Sequence, residues 1–103
     1  MSVVQSYIDE QGLAHWPDAP LGSEKYYGID FDDLLTAEND IWTSITWTVP
    51  TGMTKMDEKE VENEMRIKLS ADTNGSHKII CELESSEGMD TQKFIQVMFI
   101  NVI

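Results

Sequence analysis

Cysteine is almost missing from this 103-residue chain, and positive charge is scarce. A single Cys81 excludes an internal disulfide, so the fold must rest on packing. Cys81 sits in Ile79-Ile80-Cys81-Glu82-Leu83, the setting of a small buried hydrophobe. Glu82 and Glu84 are anionic neighbours that oppose a reactive thiolate. Histidine occurs twice, as His15 and His77, and neither has the Glu-x-x-His or His-x-His spacing of a zinc site. A Gly-x-Ser-x-Gly elbow and a phosphate-cradling glycine loop are both lacking. The carboxylates are many, but a thin sandwich of this length has little room for the cleft that paired-carboxylate catalysis needs. The expectation is therefore a protein that is not an enzyme and takes no cofactor or metal.

Lys and Arg number 7 against 19 Asp and Glu, a formal net charge of −12. Nucleic-acid binding needs clustered cations to displace counterions, so it is excluded, and an anionic membrane surface is disfavoured for the same reason. No apolar run approaches the roughly 20 residues that span a bilayer. The opening Met-Ser-Val-Val-Gln-Ser-Tyr has neither a basic nor an apolar region of a secretory signal, so synthesis in a cytoplasm without export is expected. The acidic balance suits solubility or a basic protein partner.

What is present is alternation. The apolar share of 41% and the length fit one globular domain, which buries roughly 60–65% of its unfolded surface. Residues 41–49 read as a strand, with Ile41, Thr43, Ile45, Trp47 and Val49 on one face and Trp42 on the other. Residues 65–70 alternate Met65, Ile67, Leu69 with Arg66, Lys68, Ser70. Asn74-Gly75 marks a turn, and residues 77–84 form the next strand. Residues 92–102 are apolar on both faces, the mark of a central strand or of one covered by a neighbouring chain. The run Asp57 to Glu64 is almost wholly charged and reads as an exposed loop. Trp47 to Thr54 reads as a strand running into a type I turn, with Pro50 second and Gly52 fourth. Short strands at about ten-residue spacing predict an all-β, antiparallel sandwich over residues 26–103.

Residues 1–25 hold Gly12, Pro17, Pro20 and Gly22 and read as an N-terminal arm. Trp16 is either an anchor for a partner or a cover for its own domain. Trp42 is either an interface residue or covered by the arm, and Tyr26 joins these two as a candidate surface aromatic. Asp30, Asp32 and Asp33 invite a calcium loop, but Leu34 and Leu35 stand where oxygens and a glycine are needed. A strand end and solvated turn is the simpler reading.

With the strands laid out, residues 27–103 resemble a family of small tailed-bacteriophage proteins. The resemblance is carried by Tyr27-Gly28-Ile29-Asp30-Phe31, Asp40-Ile41, then Trp47, Val49, Pro50, Gly52 and Thr54, and finally Leu69-Ser70, Gly75 and Gly88. The charged stretch from Asp57 to Glu64 and the long arm depart from that pattern. The resemblance implies an immunoglobulin-like virion accessory protein, either a capsid decoration protein or a head, tail or fibre adaptor. It implies other virion proteins as partners, location in the virion, and the option of a homo-oligomer. Two alternatives stand beside it. One is a carbohydrate- or ligand-binding sandwich using Trp42, Trp16 and Tyr26. The other is an acidic inhibitor of a host protein, expected from the charge of −12.

Overall fold

The computed structural model describes residues 3–31, 41–87 and 90–103. They form nine strands: β1 (Val3–Gln5), β2 (Tyr7–Ile8), β3 (Ala14–His15), β4 (Glu24–Asp30), β5 (Ile41–Thr48), β6 (Met53–Val61), β7 (Glu64–Ala71), β8 (Gly75–Glu87) and β9 (Asp90–Val102). One sheet has the order β1-β4-β7-β6 and the other β2-β3-β9-β8-β5. The architecture is an all-β sandwich, as the alternation predicts. Its long neighbours pair antiparallel, while β1 runs parallel to β4 and β3 parallel to β9.

The period-two pattern places the core. On β7, Met65, Ile67, Leu69 and Ala71 are buried and the residues between them are half-buried. Across from them lie Ile79, Cys81 and Leu83 of β8 and Met98, Ile100 and Val102 of β9, all buried. Each large aliphatic side chain removed from water here contributes about 1.5–3 kcal/mol. β9 is apolar on both faces because it is the middle strand of its sheet. Its outer row still leaves Ile95 59% exposed, while Phe99 is covered by the His15 ring at 5.6 Å.

The structure corrects three sequence expectations. The charged run from Asp57 to Glu64 is not a loop: β6 extends into it as far as Val61, paired with β7, which begins at Glu64. Propensity fails there because β6 is an edge strand, exposed at every position after Met53. Lys55, Glu58 and Glu60 stand opposite Leu69, Ile67 and Met65, so they point toward the inner side of the sandwich. Inward-pointing charge is a device that keeps an edge from pairing with another chain.

The second correction concerns β5. Its register shifts between Trp42 and Ser44, which makes Thr43 the extra residue of a β-bulge. One inserted residue reverses the alternation, so Trp42 joins Ile45 and Trp47 on the inner face.

The third is the turn after β5. The Met53 N–H donates to the Pro50 carbonyl at 3.3 Å, so Pro50 is the first turn residue and not the second. Gly52 is then third, with φ of 105°, the place where a type II turn requires positive φ.

Of the N-terminal segment read as an arm, the described residues 3–25 are woven into both sheets. β1 extends one sheet, β2 and β3 extend the other, and Trp16, Ala14 and Ala19 are buried. The Trp16 N–H donates to the Phe99 carbonyl at 3.0 Å and the Ala19 N–H to the Asn101 carbonyl at 2.8 Å. In the calcium motif considered above, Asp32 and Asp33 lie outside the described residues. Among the described residues, no group of three His, Cys, Asp or Glu side chains is arranged to hold a metal ion.

Candidate protein interface

The three aromatics singled out in the sequence fall in three different places. Trp16 is in the core: its ring lies 5.0 Å from Tyr27 and 6.5 Å from Trp47. Its indole N–H donates to the Gly28 carbonyl at 3.0 Å. Of the two roles weighed for it, the structure places it as the cover of its own domain. The alternating neighbours Ala14 and Trp16 turn inward, and His15 between them turns out.

Tyr26 lies on the outer face of the four-stranded sheet, because its neighbour Tyr27 is buried. Its hydroxyl donates to Asp57 Oδ2 at 2.5 Å. The Lys59 and Lys68 ammonium groups lie 5.4 and 5.7 Å from its ring centre. The hydrogen bond holds the Asp57 carboxyl below its ordinary pKa and pushes the Tyr26 phenol above its own. Both ends of Tyr26 are thus engaged by its own sheet.

Trp42 is half-buried at the end of the sandwich where β4 finishes and β5 begins. Its indole N–H donates to the Glu62 carbonyl at 3.1 Å. Glu62 and Asn63 are the two central residues of the β6–β7 hairpin, since Val61 pairs with Glu64. Glu62 has φ of 57°, the one positive φ at a non-glycine among the described residues. Non-glycine residues are held in that region only where surrounding contacts impose it, and such sites cluster where chains meet ligands or partners. Here two contacts impose it. Trp42 grips the Glu62 carbonyl, and the Phe31 N–H donates to the Asn63 carbonyl at 2.9 Å. β8 ends and β9 begins at this same end, where Glu87 pairs with Asp90 and Ser86 lies opposite Ile41.

This end therefore presents a half-exposed indole, a tight hairpin with a strained acidic tip, and the strand ends that feed two connections. Trp42 was legible as a candidate from its residue type. Glu62 was not, because no Gly, Asn-Gly or Asp-Gly marks the hairpin and its charge disguises the turn.

The opposite end is tied differently. The Gly52 carbonyl accepts from the Asp72 and Thr73 N–H groups at 3.1 and 3.0 Å, and a Cβ added at Gly52 would meet Thr73 Oγ1 and the His77 ring. Asp72 accepts from Ser70 Oγ at 2.6 Å and Thr54 Oγ1 at 2.5 Å, which lowers its pKa. These bonds close the β5–β6 and β7–β8 turns on each other.

No family model and no curated protein matches the chain. Among solved structures, the fold is similar over its whole length to a cysteine protease inhibitor of Entamoeba histolytica, EhICP2. The TM-score is 0.51 and the identity 12%, covering 100% of this chain and 99% of the inhibitor. A second similar structure is amebosin, with a TM-score of 0.45 and 14% identity over 98% of this chain and 96% of that one. The EhICP2 likeness corrects the expectation of a virion protein with capsid, tail or fibre partners: a structure similar in fold over the full length is that of a protease inhibitor. An inhibitor is a binding protein and not an enzyme, in line with the reading of the sequence.

Proposed function

We propose that this protein is a non-enzymatic inhibitor that binds a cysteine protease. The observation that carries the reading is the end-to-end fold likeness to the amoebic inhibitor. Of the alternatives drawn from the sequence, it favours the acidic inhibitor of another protein. The physics agrees. Inhibition by occlusion needs a rigid scaffold that presents a pre-shaped edge, because pre-organisation removes the entropic cost of ordering loops on binding. The β6–β7 hairpin and Trp42 supply such an edge.

The test is a titration of the full chain into a panel of cysteine proteases, read with a fluorogenic peptide. Activity should fall to a stoichiometric end point, and the inhibitor should remain intact by mass spectrometry. Trp42→Ala should weaken the end point, with the fold retained by circular dichroism. Undiminished activity of every protease at a large excess of the chain would overturn the reading.

A further inference from the structure

The two sheets end in edges of opposite character. β6 is charged along its length, and its inward-pointing Lys55, Glu58 and Glu60 guard it. β5 closes the other sheet with Ile-Trp-Thr-Ser-Ile-Thr-Trp-Thr, eight residues without one charge. In a chain with a net charge of −12, that absence is local and specific. Nor is β5 blunted by proline or by brevity, the other usual protections. Among the described residues no strand pairs with its outer side. The one protective device it carries among the described residues is the bulge at Thr43, which leaves Ser44 to Thr48 as a regular stretch.

We propose that a second copy of this chain pairs with that stretch, β5 antiparallel to β5 about a two-fold axis through Thr46, joining two five-stranded sheets into one of ten. The register argues for self-pairing in particular. Centred on Thr46, it sets Thr46 against Thr46, Ile45 against Trp47, and Ser44 against Thr48. Thr–Thr and aromatic–β-branched pairs are among the favourable cross-strand combinations. Both faces match: Ile45 and Trp47 share the inner face, and Ser44, Thr46 and Thr48 share the outer one. Ile45 is half-buried in the single chain and is covered by the opposing Trp47 in the pair.

Charge repulsion is the main obstacle for so acidic a protein, and it is weakest here. The nearest acids on the adjoining strand, Glu82 and Glu84, share the Lys93 ammonium at 3.6 and 3.8 Å, which cancels one of their two charges. On β6, Lys55 is likewise closed on Glu58 at 3.2 Å. Beside Thr46 and Thr48 the outer face carries Ile80, Ile95 and Val97, so the joined sheet also brings two apolar strips together. The contact is short, which places the dimer among weak interfaces.

Sedimentation equilibrium of the full chain from about 1 to 100 μM, a span that brackets a micromolar Kd, should show twice the chain mass at the upper end. Thr46→Lys sets two ammonium groups face to face and should return the protein to a monomer with an unchanged circular dichroism spectrum. Thr46→Cys reads the register itself. Cys81 is buried, so the introduced thiol is the accessible one, and mild oxidation should yield a dimer joined through the two introduced thiols far faster than a Thr51→Cys control. A monomer throughout the range would overturn the proposal. So would a dimer that survives Thr46→Lys and, in the Thr46→Cys variant, fails to cross-link, which would place the contact on another face.

Discussion

Single residues carry more of the stability than their number implies. Trp16 is wholly buried, bonds the Gly28 carbonyl and touches Tyr27 and Trp47. Trp16→Ala leaves a cavity that thin sheets cannot collapse into, and should cost about 3–5 kcal/mol in denaturant unfolding. Glu62 works in the other direction. A left-handed conformation costs an L-residue about 1–2 kcal/mol, which glycine escapes at some entropic cost. Glu62→Gly should therefore stabilise the chain by about 0.5–1 kcal/mol while leaving the hairpin in place. A loss of stability would show that the side chain, and not the backbone, holds the turn. Cys81 is the third case. Burial pushes its thiol up to about 12, with Glu58 and Glu82 acting in the same direction. A folded-state pKa above the unfolded one gives stability that is complete below the unfolded thiol value, about 8.5. That stability is lost as pH rises toward the folded value. Unfolding midpoints should fall between pH 9 and 12, and Cys81→Ala should flatten that slope. In native protein at neutral pH the thiol should resist alkylation until denaturant opens the core.

Elements show where pattern alone suffices and where pairing decides. The alternation of β7 and the two-faced β9 are direct readings of residue order, because period two and burial coincide in them. The Thr43 bulge, the course of β6 and the one-residue offset of the Pro50 turn are not legible, since each depends on what a neighbouring strand offers. An unpaired charged segment is a loop, and the same segment beside β7 is an edge strand. The candidate interface was half legible for that reason: Trp42 stands out by type, but only the bulge and the Glu62 carbonyl set its position. Residues 1–25 make the same point. Read alone, their glycines and prolines describe an arm, yet they supply β1, β2, β3 and the Trp16 side chain. Deleting residues 1–25 should give an unfolded chain by circular dichroism and not a trimmed domain. The hairpins also carry pH-sensitive ties. The Leu13 N–H first, then His15 and the Gln11 N–H, hold the Asp9 carboxyl below its ordinary pKa, and Ser70 with Thr54 does so for Asp72. Depressed carboxylates contribute stability above their unfolded value of about 3.9, and lose it as pH falls through the lower folded values. Denaturant midpoints should drop from that pH downward, and Asp72→Asn should make the drop shallower.

At the scale of the whole molecule, charge and shape act on different steps of binding. Under the proposed function, the scaffold fixes the edge that would meet a protease, and its contacts would determine how long a complex lasts. The charge of −12 acts earlier, at distances where no side chain yet touches. A strongly acidic body is steered toward a basic surface, and the steering is screened within about 8 Å at physiological ionic strength. Association with a cysteine protease of basic surface should therefore slow by at least roughly tenfold between low salt and about 0.5 M salt. The dissociation rate should stay nearly constant, because the proposed contact at Trp42 and the Glu62–Asn63 hairpin would be largely short-range. Surface plasmon resonance across a salt series separates the two rates. Trp42→Ala should raise the dissociation rate and leave the salt slope of association intact, whereas neutralising acids remote from the hairpin should flatten that slope and spare dissociation. Equal salt sensitivity of both rates would mean that ion pairs in the contact itself hold the complex, and would move the binding edge from the Trp42 end to a charged face such as β6.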